Sequence, residues 1–164
     1  MQALEKFLEI KMYIDYFPEA VEIECVLDNL SKLTKAELIK GFGKDYKNSI
    51  INILPLTKCI YLIKLKADNT SVGMFGLIEE TKEVAGIFFL STDAIYQGNM
   101  IKLIRESKKV VDEWLKEYRV LLDDCHLDNE KVMRWLCLLG FKPTGEIKTG
   151  GFATYYKGDK LCLM

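Results

Sequence analysis

Asp128-Asn129-Glu130-Lys131-Val132-Met133-Arg134-Trp135-Leu136-Cys137-Leu138-Leu139-Gly140-Phe141 reads as a helix with both ends written in side-chain chemistry. Asp128 stands as the N-cap, its carboxylate placed to accept N–H bonds from the first turn, with Leu127 and Val132 at the two staple positions. Val132, Trp135, Leu136 and Leu139 follow at helical spacing and predict the buried face, which makes Trp135 a core residue before it is a substrate platform. Gly140 fits the left-handed residue just past the helix, and Phe141 is placed to touch Leu136 as in a Schellman ending.

Working outward, Arg119 to Asp123 reads as a short strand before this helix. A longer amphipathic helix precedes it, from about Met100 to Tyr118, with Ile101, Ile104, Val111, Trp114, Leu115 and Tyr118 on one face and a charged, solvated face opposite. Cys59 to Lys66, Ser71 to Glu79 and Val84 to Ser91 are β-rich runs with separators of hairpin length, which predicts three consecutive antiparallel strands. The third is apolar without alternation over Ala85 to Leu90, as in a central strand covered on both faces. After Pro143, Thr144 to Lys148 and Phe152 to Tyr156 read as a hairpin around Gly150-Gly151.

The first third is less explicit. Leu8 to Ile14 alternates like a half-buried strand, with a helix as the rival reading. Pro18 suits the first turn of a helix through Val21, Ile23, Val26, Leu27 and Leu30. Thr34-Lys35-Ala36-Glu37 has the spacing of a capping box, with Leu33 and Leu38 as its staple, and Gly41 and Gly43 stop that helix. Lys44 to Lys58 is readable only as a helical turn or two ended by Pro55.

The chain has 164 residues, 49% of them hydrophobic and 29% charged, a net charge of −1 and a pI near 5.9. With no Pro-, Gly- or Ser-rich linker inside it, residues 1–164 are expected to form one domain. The near-neutral charge offers no global attraction for nucleic acid. No apolar run approaches the roughly 20 residues that span a bilayer, and no secretion signal opens the chain. Five cysteines without a CxxC pair read as buried thiols, so neither a disulfide framework nor a metal site is expected.

The order strand, two helices, three strands, helix, strand, helix, two strands resembles the GNAT (N-acetyltransferase-like) fold. It implies an α/β (α+β) domain with a mixed, mostly antiparallel sheet of six or seven strands flanked by about four helices. The Asn129 opening and Leu139-Gly140-Phe141 closing of the last helix resemble that family's corresponding helix. More narrowly, Phe89-Leu90-Ser91-Thr92-Asp93-Ala94-Ile95, Arg105-Glu106-Ser107 and Arg134-Trp135-Leu136 look like phage-encoded members, among them the internal virion protein of short-tailed phages. That narrower resemblance implies a non-catalytic virion or assembly component, with other virion or assembly proteins as partners, in a virion or a host cytoplasm.

Working family members hold the cofactor pyrophosphate on a glycine-rich loop after the fourth strand, where close backbone approach requires glycine. The matching stretch here, Thr92 to Asn99, has one glycine, no basic residue and the carboxylate of Asp93, which opposes a phosphate. The family's usual Tyr general acid, four residues before the closing glycine, falls on Leu136. The expectation is therefore a degenerate acyl-CoA site and no cofactor. The alternative is an active acyl-CoA-dependent N-acyltransferase that binds acetyl-CoA, with Gln97, Gly98 and Asn99 at the pyrophosphate, Asn129 positioning pantetheine or substrate, and Glu79 or water as base. His126 is a further catalytic candidate, although Cys125 and His126, as neighbours in an extended segment, point to opposite faces. A second alternative is a module binding a small anion or peptide between the fourth and fifth strands.

Overall fold

The computed structural model describes residues 8–14, 19–66, 68–97 and 100–160, the strand 8–14 and Gln97 as backbone alone. Its elements are β1 (Leu8–Ile14), α1 (Ala20–Asp28), α2 (Lys32–Phe42), α3 (Tyr46–Ile53), β2 (Cys59–Leu65), β3 (Ser71–Glu79), β4 (Val84–Ser91), α4 (Met100–Glu117), β5 (Val120–His126), α5 (Glu130–Leu138), β6 (Lys142–Lys148) and β7 (Phe152–Gly158). Short 3₁₀ turns follow α3 (Leu54–Leu56) and β4 (Asp93–Gln97). The stretch 44–58 that resisted reading is therefore a third helix, its 3₁₀ end containing Pro55, and Pro18 lies outside the described residues.

Seven strands form one sheet in the order β1-β2-β3-β4-β5-β7-β6. All pairs are antiparallel except β4 with β5. Side chains alternate between two cores, as strand geometry demands. Met74 of β3 joins Ile60 and Leu62 under α1, α2 and α3, whereas Phe75 joins Tyr61 and Ile63 under α4 and α5. In the second core the aromatic rings make a continuous chain. Tyr61 stacks on Phe75 at 5.1 Å, Phe75 meets Trp114 and Trp135 edge-on at 5.9 and 6.3 Å, and Trp135 stacks on Phe89 at 4.2 Å.

Three local features differ from the sequence expectation. Helix α2 starts earlier than the Thr34 capping box implied: Ser31 is the N-cap, its hydroxyl accepting the Thr34 N–H at 3.3 Å, which frees Glu37 from a capping role. Helix α5 has Asn129, not Asp128, at its N-cap position, and the Asp128 carboxylate instead pairs with Lys40 at 2.8 Å. On α4 the buried stripe is Leu103, Ser107, Val111 and Trp114, while Ile101 is 73% exposed, off the expected face. The end of α5 is as read. Gly140 has φ of 93°, its N–H donates to Cys137 O and that of Phe141 to Leu136 O, the two bonds of a Schellman motif, and Phe141 and Leu136 share the core.

The sheet is not closed along its whole width. β4 and β5 pair only through Val84↔Val120, Ala85↔Leu121 and Gly86↔Leu122. Beyond Gly86, β4 stays with β3 as far as Gly73↔Ser91, and β5 stays with β7 as far as His126↔Phe152. Each strand keeps its outer neighbour, so the sheet forks between them.

Candidate functional site

Two cavities meet at this fork and share Phe89 as a wall. The first, about 380 Å³, lies between the N-terminal turns of α4 and the helix α5; Phe89, Tyr96, Met100, Ile104, Trp135 and Leu138 make it apolar, and Lys131 and Arg134 add two cations. These cations stand three apart on α5 and so share a helix face. Lys131 Nζ rests 4.2 Å from the centre of the Tyr96 ring, which holds the ammonium beside the cavity. Trp135 is 4% exposed and its indole N–H finds no acceptor among the described residues, an uncompensated donor of the kind that folding normally avoids.

The stretch that matches the family's phosphate loop is described as far as Gln97. Thr92 is locked to β3, its N–H and Oγ1 both bonded to Val72 O at 3.0 and 2.7 Å, and the chain then turns as a 3₁₀ helix over buried Ile95 with Asp93 exposed. Of the candidates there, Gly98, Asn99 and the side chain of Gln97 lie outside the described residues.

The second cavity, about 580 Å³, runs along the fork beneath α2 and is lined by Glu37, Glu80, Asp123 and Asp124, with Lys40, Lys148 and apolar walls that include Leu38, Phe88 and Phe152. Glu37 reaches from α2 to the start of α5: its carboxylate accepts the Asn129 side-chain N–H at 2.6 Å and the His126 backbone N–H, and the Cys125 thiol points to it at 3.9 Å. Desolvation raises the Glu37 pKa above the usual carboxylate range, against the lowering effect of those hydrogen bonds. Asp123, half-buried on β5, is shifted further, well above its ordinary value, first by loss of solvation and then by the neighbouring Glu37 and Asp124 charges. Burial, and then the charges of Glu37 and Asp123, likewise push the Cys125 thiol far up, so this cysteine is inert at neutral pH.

An acid whose folded-state pKa is raised holds its proton longer in the native state than in the unfolded chain. Stability then falls as pH climbs from near the ordinary carboxylate value through the raised one. Asp123→Asn should accordingly stabilise the protein by about 0.5–2 kcal/mol at pH 8, in the range of substitutions that relieve a functional site, and by little at pH 4. Urea midpoints at the two pH values check this, and a variant less stable at pH 8 than at pH 4 relative to the parent would refute it.

The remaining candidates make structural contacts. His126 is buried; its Nε2 faces Gly150 O at 2.9 Å and its Nδ1 accepts the Asp128 N–H at 3.1 Å, which sets the neutral Nε2–H tautomer and ties β5 to the β6–β7 turn. Asn129, 2% exposed, lines neither cavity, its amide being bonded to Glu37. Glu79 also lies outside both; it accepts the Tyr118 hydroxyl and stands 3.9 Å from Lys58. Leu136 is 0% exposed, a packing residue. Glu37, Asp123, Lys131 and Arg134 were missed by sequence reasoning. Only Asp123 left a trace there: it falls in register between Leu121 and Cys125, both fully buried, where a strand is expected to carry an apolar residue.

No protein-family model and no curated protein sequence matches the chain. Among solved structures it is similar to an acetyltransferase from Streptococcus agalactiae (TM-score 0.66, 15% identity, 93% of this chain and 98% of that one). It is also similar to the microcin C7 self-immunity acetyltransferase MccE in complex with acetyl-CoA and AMP (0.63, 20%, 92% and 93%) and to an aminoglycoside acetyltransferase in complex with coenzyme A (0.63, 15%, 93% and 96%). These likenesses cover nearly the whole of each chain at low identity, and what they establish is that this protein has the GNAT acetyltransferase fold.

Proposed function

We propose that the protein is an acyl-CoA-dependent N-acyltransferase whose anion-holding groups have moved from the loop after β4 to the face of α5. The observation that carries this reading is the pair of cavities that share Phe89 as a lining residue: an apolar one, lined by Trp135 and carrying two cations, and a groove with carboxyl groups. An apolar cavity with a few polar groups at its edge suits a coenzyme that is greasy in its arm and anionic in its head. Phe89, Tyr96, Met100 and Trp135 would hold the arm, and Lys131 and Arg134 the phosphates. Bound there, the coenzyme supplies an acyl group as a thioester.

The chain's own contribution to chemistry is proton handling in the groove. Asp123, with Glu37 beside it, has its proton affinity raised by loss of solvation and then by the neighbouring charges, the direction that strengthens it as an acceptor of a proton from an ammonium substrate. Leu136 supplies no proton for the departing thiolate, so that proton comes from water or substrate.

A contact scaffold without catalysis is the rival reading, and it has the acidic turn at Asp93 and the leucine at 136 in its favour. No comparison supports its virion or assembly side. The small-anion reading is disfavoured by the groove's carboxylates. Coenzyme A at 100 times its Kd should stabilise the fold by about 2.7 kcal/mol and raise Tm by about 5–10 °C for a chain of this size. An unchanged Tm at millimolar coenzyme A would remove the acyltransferase reading and leave the scaffold.

A further inference from the structure

Three buried hydroxyls run in a line from the start of α2 to the wall of the apolar cavity. Ser31, Thr34 and Ser91 are each at most 3% exposed, and half-buried Tyr96 ends the line as a residue that lines that cavity. Buried hydroxyls are normally satisfied, and these four satisfy one another in a single direction. Ser31 Oγ accepts the Thr34 N–H at 3.3 Å and donates its own hydrogen to Thr34 Oγ1 at 2.9 Å. The Thr34 hydrogen then goes to Ser91 Oγ, 3.3 Å away, and the Ser91 hydrogen to the Tyr96 oxygen, also 3.3 Å away. Each bond polarises the next. The Tyr96 hydrogen is left over: with Ser91 as the donor, it has no acceptor among the described residues.

This donor stands close to where two ligands would meet. Phe89 lines both cavities, so a thioester held in the apolar one reaches the groove beside it. Ser91 is two residues further along β4, on the same face of the strand as Phe89, and it carries the Tyr96 hydroxyl at its side. The charged groups at this cavity are Lys131 and Arg134 from α5, with Asp93 on the turn of Tyr96 itself. Helix α4 contributes Met100 and Ile104 to it, both uncharged.

We infer that the Tyr96 hydroxyl donates a hydrogen bond to the coenzyme sulfur and stabilises it as a thiolate, with Ser31, Thr34 and Ser91 as positioning residues that keep the hydrogen turned to the cavity. The inference rests on the acyltransferase reading. No proton leaves Tyr96 in this role. Burial, against the bond to Ser91, raises the phenol above its ordinary pKa, so it stays protonated through the range in which a thiol ionises. A fixed donor of this kind gains strength as negative charge develops on its acceptor.

Calorimetric titration with coenzyme A at pH 7 and pH 9.5, beside its desulfo analogue, tests the assignment. Tyr96→Phe keeps the ring on which Lys131 rests and removes only the hydroxyl. A hydrogen bond to a charged sulfur should hold the bound thiol about one pH unit lower in the parent than in this variant. The parent's advantage in coenzyme A affinity should then grow about 5- to 10-fold from pH 7 to pH 9.5, with no growth for the desulfo analogue. Thr34→Val, at a residue that lines neither cavity, frees Ser91 Oγ to accept from Tyr96 and turns that hydrogen away; it should forfeit about 2-fold or more of the same gain. The same pH dependence in parent and Tyr96→Phe, or an equal growth with the analogue, overturns the inference and leaves the acyltransferase reading intact. A Thr34→Val protein that behaves as the parent does overturns the positioning role of the chain. Failure of the parent to bind coenzyme A at all sinks the acyltransferase reading and this inference with it.

Discussion

Trp135→Ala should unfold the protein at a urea concentration corresponding to a loss of about 3–5 kcal/mol, the cost of deleting a large buried aromatic. The ring is 4% exposed, stacks on Phe89 at 4.2 Å and meets Phe75 edge-on, so its removal opens a void at the junction of β3, β4 and α5. The void lies against the apolar cavity, and ligand binding would fall with stability. Trp135→Phe separates the two roles. Phenylalanine keeps much of the stacking area and discards an N–H that has no acceptor among the described residues. Its stability should lie within about 1.5 kcal/mol of the parent, as for volume-conserving core changes. If the indole N–H serves a ligand, coenzyme A affinity should nevertheless drop several-fold. A Trp135→Phe protein with unchanged affinity would show that the donor has no such role.

The double substitution Lys131→Ala, Arg134→Ala is the second large effect. Both side chains are exposed, and the interaction they give up in the free protein is that of the Lys131 ammonium with the Tyr96 ring, worth about 0.5–1 kcal/mol. Stability should therefore barely change. Affinity for coenzyme A should fall about 100-fold, or about 2.7 kcal/mol, because two charge-assisted bonds to phosphate can no longer form. Raising salt should weaken the parent much more than the variant. Dephospho- and phosphate-free analogues of the coenzyme should be less sensitive to the substitution, since they present less charge to the missing cations. Undiminished coenzyme A affinity in the double variant would place the anion elsewhere, the turn after β4 being the next place to look.

Much of the architecture could be read from neighbouring residues because local rules determine it. The Leu139-Gly140-Phe141 ending is a matter of one left-handed residue and two hydrogen bonds, and it appears as expected. The bounds of β3 and β4 follow from turn residues on either side of apolar runs. Where two local signals competed, the sequence did not choose between them. Ser31 and Thr34 are both good N-caps; Ser31 prevails through its hydroxyl's bonds with Thr34, whose own hydroxyl meets Ser91 Oγ across the fold at 3.3 Å, and through the 2.9 Å bond from the Ser31 N–H to Ser91 O. Asp128 gave up its capping place in the same way, to a lysine 88 residues earlier in the chain.

By itself, then, the sequence determined most of the succession of strands and helices, the buried face of α5 and the glycine-poor composition of the stretch after β4, all of which depend on residues a few positions apart. Tertiary structure alone decided the site. Glu37 meets Asn129 across 92 positions, Lys131 meets Tyr96 only because α5 packs beside the turn after β4, and Asp123 becomes a desolvated acid only where β4 and β5 separate. Charge, burial and proton affinity depend on what lies within a few ångströms in space, and no spacing along the chain encodes that.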